Sequence, residues 1–439
     1  MTDPQVEPQV DRLPGATASR GLLQAVAALR HRDFALFWTG ALLSNIGTWM
    51  QNITVPYVLY HQTGSASWVG FAAFMQFLPS VLLGPLAGSL ADRFQRRVVL
   101  LVSQAFAAVV AFVMWGAFVS GRATPGVIVA LVTLNGVTFG LGIASWQALV
   151  TELVPREALL NAITLNSAQF NGARAFGPAL GGIVVARWGP SWAFLVNGIS
   201  YVTVLAALMV IRSETRQHAR PQGRVWSQFR EGVDYIRARP GIALAMKLVA
   251  AVGFLGSPVF QLAPVLARDV FHVGASAYGL LTGALGGGAV VGAALLGALG
   301  MGLRRSRLVA VSLVGYGLAL AGLAAAPSFG VGVAFMALAG MGYLAAVASL
   351  QTTVQVLVAE SLRGRVLAVY LMTFTAAYPL GALVQGWLAD RIGARATIGS
   401  AATILVVLGV SLLIRPRASR QMDDHRSDAA LPADAVAVP

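Results

Sequence analysis

The sequence predicts an all-α integral membrane protein whose twelve transmembrane helices form two pseudo-symmetric six-helix bundles. Three observations carry this. The chain is apolar almost throughout: 57% of its 439 residues are hydrophobic, 11% are charged, and its mean hydropathy is +0.72. Uncharged stretches of about 20 residues recur between residues 34 and 414, each long enough to cross a hydrocarbon core of roughly 30 Å. One charged segment, residues 212–240, divides these stretches six and six. The runs are continuously apolar, without the alternating pattern of membrane strands, so helices are favoured over a barrel.

Residues 1–33 are polar and mixed in charge and read as a cytoplasmic N-terminal tail, with no cleavable signal peptide. The first bundle covers residues 34–211, with spans near 34–60, 68–91, 98–119, 125–149, 160–186 and 190–211. Residues 212–240 form a cytoplasmic linker. Within it Trp226, Phe229, Val233 and Ile236 recur at helical spacing, which predicts an amphipathic helix lying on the membrane surface. The second bundle covers residues 241–414, with spans near 241–266, 276–300, 307–325, 329–355, 363–389 and 394–414. Residues 415–439 read as a cytoplasmic, disordered tail.

Basic residues orient the chain. With the N-terminus cytoplasmic, the tails and loops on that side hold 24 arginines and the opposite loops hold 5. Both termini are therefore expected on the cytoplasmic face of the inner (cytoplasmic) membrane. The net charge of +14 falls mainly in these loops, facing anionic lipid headgroups, so nucleic acid is not an expected partner. The only lysine, Lys247, lies between Met246 and Leu248, so no Gly-Lys-Ser/Thr phosphate loop exists to drive an ATP pump. There is no cysteine, and no acidic cluster near a membrane face to hold a metal–diphosphate. Neither cofactor, metal site nor enzymatic activity is expected.

Compared at an offset of 204 residues, the halves match at Val154 and Val358, Gly182 and Gly386, Arg187 and Arg391, and Gly189 and Gly393. Such internal symmetry is expected where one half rocks against the other around a midplane site. Between spans 2 and 3 the chain reads Gly88-Ser89-Leu90-Ala91-Asp92-Arg93-Phe94-Gln95-Arg96-Arg97. This strongly resembles the loop signature of the major facilitator superfamily, with Gln95 in place of its second glycine. His31-Arg32-Asp33-Phe34, the stretch from Asn166 to Gly182, and Arg363-Gly364-Arg365 further resemble the enterobactin-exporter-like and drug-efflux group. The resemblance implies that Asp92 latches onto the start of span 11, with Gly88, Arg93 and Arg97 shaping the gate. The alternative is that Asp92 and its arginines only set topology. The equivalent loop of the second half lacks the aspartate, while a Leu-Ala-Asp-Arg echo stands at residues 388–391.

Span 5 reads Asn171-Gly172-Ala173-Arg174-Ala175-Phe176-Gly177-Pro178-Ala179-Leu180-Gly181-Gly182. Pro178 cannot donate to the carbonyl of residue 174, which predicts a kink, and Gly177, Gly181 and Gly182 permit close packing around it. The Gly-Pro-x-x-Gly-Gly core resembles the antiporter motif of exporting members, which implies export. Arg174 lies mid-span, where it must face water, a carbonyl or an anionic solute. Ser167, Asn171, Arg174 and Pro178 share one helical face, the pattern of a cavity lining. Substrate contact and a purely structural arginine both fit. The resemblance also implies proton antiport, yet Gly136 stands where many drug–proton antiporters carry an arginine, and no Asp or Glu lies mid-span.

Asn45, Thr48 and Asn52 recur at helical spacing in span 1, with Gln76, Gln261, Tyr370, Thr373 and Tyr378 as further lining candidates. Trp49 and Trp68 read as interfacial anchors. An uncharged, amide- and aromatic-lined cavity with one arginine suits an amphipathic organic solute of the siderophore or antibiotic kind. The expected function is secondary export by alternating access, with import or facilitated passage as the alternative. The expected partners are a small-molecule substrate, protons and membrane lipids, and the chain is expected to act as a monomer.

Overall fold

The computed structural model describes residues 26–211, 225–299, 304–414 and 419–423, and every regular element among them is helical. In chain order these are α1 (Arg32–Thr63), α2 (Ala66–Arg93), α3 (Arg96–Val119), α4 (Pro125–Glu152), α5 (Leu159–Trp188) and α6 (Pro190–Val210). After the linker helix α7 (Val225–Ala238) come α8 (Pro240–Val270), α9 (Ala275–Leu299), α10 (Arg305–Ala325), α11 (Phe329–Leu357), α12 (Arg363–Ile392) and α13 (Ala394–Ile414). Proline opens α4, α6 and α8, where its missing N–H costs nothing.

Ten helices among the described residues are long and apolar enough to cross a membrane, against the twelve expected. The shortfall is informative. α1 and α5 have 32 and 30 residues but fall below that apolarity, and they carry Asn45, Thr48, Asn52, Asn171 and Arg174. A helix that turns such a face inward has fewer apolar residues to spare for lipid.

In the first half α1 packs along α5 and α6, α3 along α4 and α6, and α2 along α4. In the second, α10 packs along α11 and α13, and α9 along α11. The halves meet along two seams, α2 with α12 and α5 with α9. Both seams are tight at one end of the molecule. Gly386 faces the carbonyl of Ala66, and Gly182 faces Gly279, so closely that a Cβ on Gly182 would stand 2.7 Å from the Cα of Gly279. At that same end Tyr278 donates its hydroxyl proton to the carbonyl of Ile53 at 3.0 Å, Tyr60 donates to Asp269, and Arg268 donates to the carbonyl of Tyr60 at 3.2 Å. We call this the sealed end.

Toward the other end the α5–α9 seam parts. Along one face of α5, Pro178 and Gly182 are covered by α9, whereas Asn171, Ser167 and Leu160, on the same face, are exposed. Leu160 is 79% exposed, and Val290 on α9 is 48% exposed.

Three departures from the sequence reading bear on the architecture. α8 is not a regular helix: it contains two π-helical turns, Val252–Gly256 and Leu266–Val270. Pro258 has no N–H for the carbonyl of Phe254, and Gln385 of α12 supplies the missing donor at 2.7 Å, with a second bond to Leu255 at 2.9 Å. The linker helix is docked on protein: Phe229, Val233 and Ile236 face the core, Glu231 pairs with Arg365, and Ala359 N–H donates to the Tyr235 hydroxyl at 3.2 Å. The side chain of Trp226 lies outside the described residues. Finally, residues 419–423 of the expected disordered tail are ordered against the second half. Met422 is fully buried, and Asp423 caps α10 by accepting from the N–H and hydroxyl of Ser306 at 3.0 and 2.6 Å.

Candidate substrate cavity

Arg174 stands half-buried where the α5–α9 seam begins to open. Its guanidinium carbon lies 5.8 Å from the Trp49 ring centre on α1 and 5.2 Å from that of Tyr343 on α11, so one cation bridges rings of both halves. Trp49 also meets Phe170 and Phe260 edge-on at 6.1 and 6.0 Å. Trp49 is therefore part of this central cluster and not an anchor at the membrane boundary. Trp68 is exposed, edge-on to Phe71, at the sealed end.

The amides pair across helices. Asn45 donates to Gln169 on α5 at 3.2 Å, and Gln76 on α2 donates to Asn52 at 3.2 Å. Gln261 on α8 donates to the Tyr378 hydroxyl on α12 at 2.7 Å, and the Tyr378 ring stands edge-on to Phe77 of α2 at 5.1 Å. Gln76 and Gln261 line a narrow pocket with Val55, Pro56, Val69, Ala72 and Ala73. Asn171 is exposed toward the opening, its amide bonded to the carbonyl of Ser167.

Thr48 and Tyr370 bond within their own halves. Thr48 turns to the Tyr201 hydroxyl of α6 at 3.2 Å, inside the first half. Tyr370 is buried and donates to the carbonyl of Val347, and Thr373 bonds its own helix at Val369. Helical spacing identifies their face but not the neighbour covering it. Gln51, which the sequence places beside the polar stripe of span 1, is buried and accepts from Asn197 of α6 at 2.7 Å, and Asn197 and Gln169 are buried polar groups that helical spacing does not single out.

The gating candidates divide similarly. A Cβ on Gly177 would stand 2.5 Å from that of Trp49, and Gly181 abuts Met50, so both let α1 approach α5. Gly182 and buried Pro178 face α9, and α5 runs unbroken through the proline. Arg97 donates to the carbonyls of Leu208 and Met209 at 2.6 and 2.9 Å, capping α6. The side chains of Gly88, Asp92 and Arg93 lie outside the described residues. Gly136 has a physical reason: a Cβ there would stand 1.9 Å from the carbonyl oxygen of Gln76, so α2 occupies the place an arginine would need.

Comparison with known proteins agrees with this arrangement. Residues 23–439 match the family described as transmembrane secretion effector. The enterobactin exporter EntS of Salmonella choleraesuis (strain SC-B67) is 27% identical over 395 residues, covering 88% of this chain and 92% of its own. The multidrug efflux pump Tap of Mycobacterium bovis (strain BCG / Pasteur 1173P2) is 26% identical over 400 residues, covering 87% and 93%. Among solved structures, an inward-facing, unoccupied bacterial homologue of the human lysosomal transporter Spinster superposes with a TM-score of 0.73 at 14% identity, covering 90% of this chain and 99% of that one. The nucleoside transporter NupG superposes with a TM-score of 0.73 at 11% identity, covering 87% and 98%. This chain is a membrane transporter and belongs to the transmembrane secretion effector family of the major facilitator superfamily.

Proposed function

We propose that the protein exports an amphipathic small organic molecule from the cytoplasm by alternating access, with protons as counter-ion. Arg174 carries the reading. It is a mid-span cation shared between rings of both halves, at the depth where the halves part. A solute bearing an anionic or strongly hydrogen-bonding group and a ring system meets complementary groups there: the guanidinium, Trp49, Phe170 and the amides of Asn45 and Gln169. The relatives named as exporter and efflux pump support the direction. In this reading the sealed end faces outward, both termini are cytoplasmic, and residues 34–211 and 241–414 move as two bodies.

The test is proton-gradient fluorescence quenching in inverted vesicles, challenged with siderophores, anionic antibiotics and cationic dyes. Solute-dependent dequenching absent from control vesicles supports proton-coupled export. Solute accumulation in right-side-out vesicles supports import instead and overturns the direction.

A further inference from the structure

We propose that Asp390 is a latch at the sealed end, holding α12 to the start of α2 and releasing it when that end opens. The proposal rests on the alternating-access reading.

The motif that the cavity leaves unused is its starting point. α12 ends in Gly386-Trp387-Leu388-Ala389-Asp390-Arg391, and α2 ends in Gly88-Ser89-Leu90-Ala91-Asp92-Arg93. The same Gly-x-Leu-Ala-Asp-Arg pattern thus closes both helices of one seam. These helices run antiparallel, so the C-terminus of α12 lies beside the N-terminus of α2.

Asp390 uses that neighbour fully. One carboxylate oxygen accepts from Ala66 N–H at 2.6 Å, and the other accepts from Ser67 N–H at 2.9 Å and from the Ser65 hydroxyl at 2.7 Å. The first-turn N–H groups of a helix have no partner within it, and their positive end favours a carboxylate. A cap is ordinarily supplied by the residue preceding the helix. Here it comes from the other half of the molecule, so it exists only while the halves touch.

The surroundings keep the carboxylate for this task. Neighbouring Arg391 lies over the Trp387 ring, 4.2 Å from its centre, and Arg395 donates to the carbonyl of Ala326 at 2.7 Å. Gly386 allows the approach, since a Cβ there would stand 2.5 Å from the Ala66 carbonyl oxygen. At the matching position of α5, 204 residues earlier, the chain has Ala186. The α5–α9 seam is instead closed by glycine contacts, so the device belongs to one seam.

The experiment uses pairs of spin labels in the full chain held in lipid nanodiscs. The chain has no cysteine, so the introduced thiols are the only ones. Arg122→Cys with Ser328→Cys measures across the sealed end, and Phe94→Cys with Arg304→Cys across the other. Asp390→Ala is expected to lengthen the first distance and shorten the second, shifting the closed-to-open ratio roughly twofold to thirtyfold, the size of losing a helix cap. Ser67→Pro, which removes one donor at a helix position that tolerates proline, is expected to shift both distances the same way by less. It also serves if Asp390→Ala folds poorly. Unchanged distances in folded variants, or a longer first distance without a shorter second, overturn the latch. Wild-type efflux tests the export reading separately, because the distances are measured without substrate.

Discussion

An arginine at the centre of a span costs about 2.5–3.5 kcal/mol on insertion scales, and Arg174 recovers part of this from two aromatic faces worth roughly 0.5–2 kcal/mol each. Arg174→Ala is therefore expected to leave membrane insertion and folding intact, read by size-exclusion profile, while efflux in inverted vesicles falls by about tenfold or more. Arg174→Lys keeps the charge but not the planar stack, and is expected to retain a fraction of the activity. Gly136→Ala makes the opposite case. Its Cβ would meet the backbone of α2, which cannot rotate away, so a loss of at least about 1–3 kcal/mol is expected as a lower melting temperature in detergent. At this scale the sequence shows which residues are unusual but not what they touch. Arg174 is legible because a mid-span charge demands a reason. The role of Trp49 is not, because its place in the span says nothing of the arginine on the neighbouring helix. Thr48 departs from the expected cavity because a polar face can be closed by a tyrosine from α6.

Elements are legible mostly as runs of apolar residues, which say little about irregularity within a run. Pro258 and Pro264 both stand in the sequence of α8, but the π turns and the donor from Gln385 require a partner helix to be in place. Gln385→Leu keeps much of the volume and removes both bonds. Leaving the Phe254 carbonyl without its donor in a buried setting is expected to cost about 1–3 kcal/mol, visible as a lower melting temperature. The linker helix is legible as amphipathic, but its apolar face meets protein, because Glu231 and Tyr235 find Arg365 and Ala359 beside it. The docked segment of the tail is not legible at all: one buried methionine and one capping aspartate make no periodic pattern. Asp423→Ala is expected to destabilise the second half by about 0.5–2 kcal/mol, measured by thermal unfolding.

Across the whole molecule, the all-helical architecture and the family follow from apolar runs and one loop motif. The two seams do not, because they depend on which helices are brought together. Their asymmetry is the main result of the structure. One seam is held at the sealed end by a carboxylate on a helix terminus. Such a cap is worth about 0.5–2 kcal/mol, enough to bias a population and, in the proposed alternating-access cycle, small enough to be reversed. A latch of that strength delays opening without preventing it.

The other seam has a different consequence. Gly182 and Gly279 bring α5 and α9 together backbone to backbone. Contact without side chains has no rotamers to freeze and no interlocking knobs to climb over. In the proposed alternating-access cycle the α5–α9 line would act as the lubricated pivot of a pair of shears, while the α2–α12 line would bear the catch. A bulky residue at Gly279 would meet the backbone of α5, its Cβ 2.7 Å from the Cα of Gly182, and in the proposed alternating-access cycle is expected to slow turnover by weakening the state in which this seam is closed.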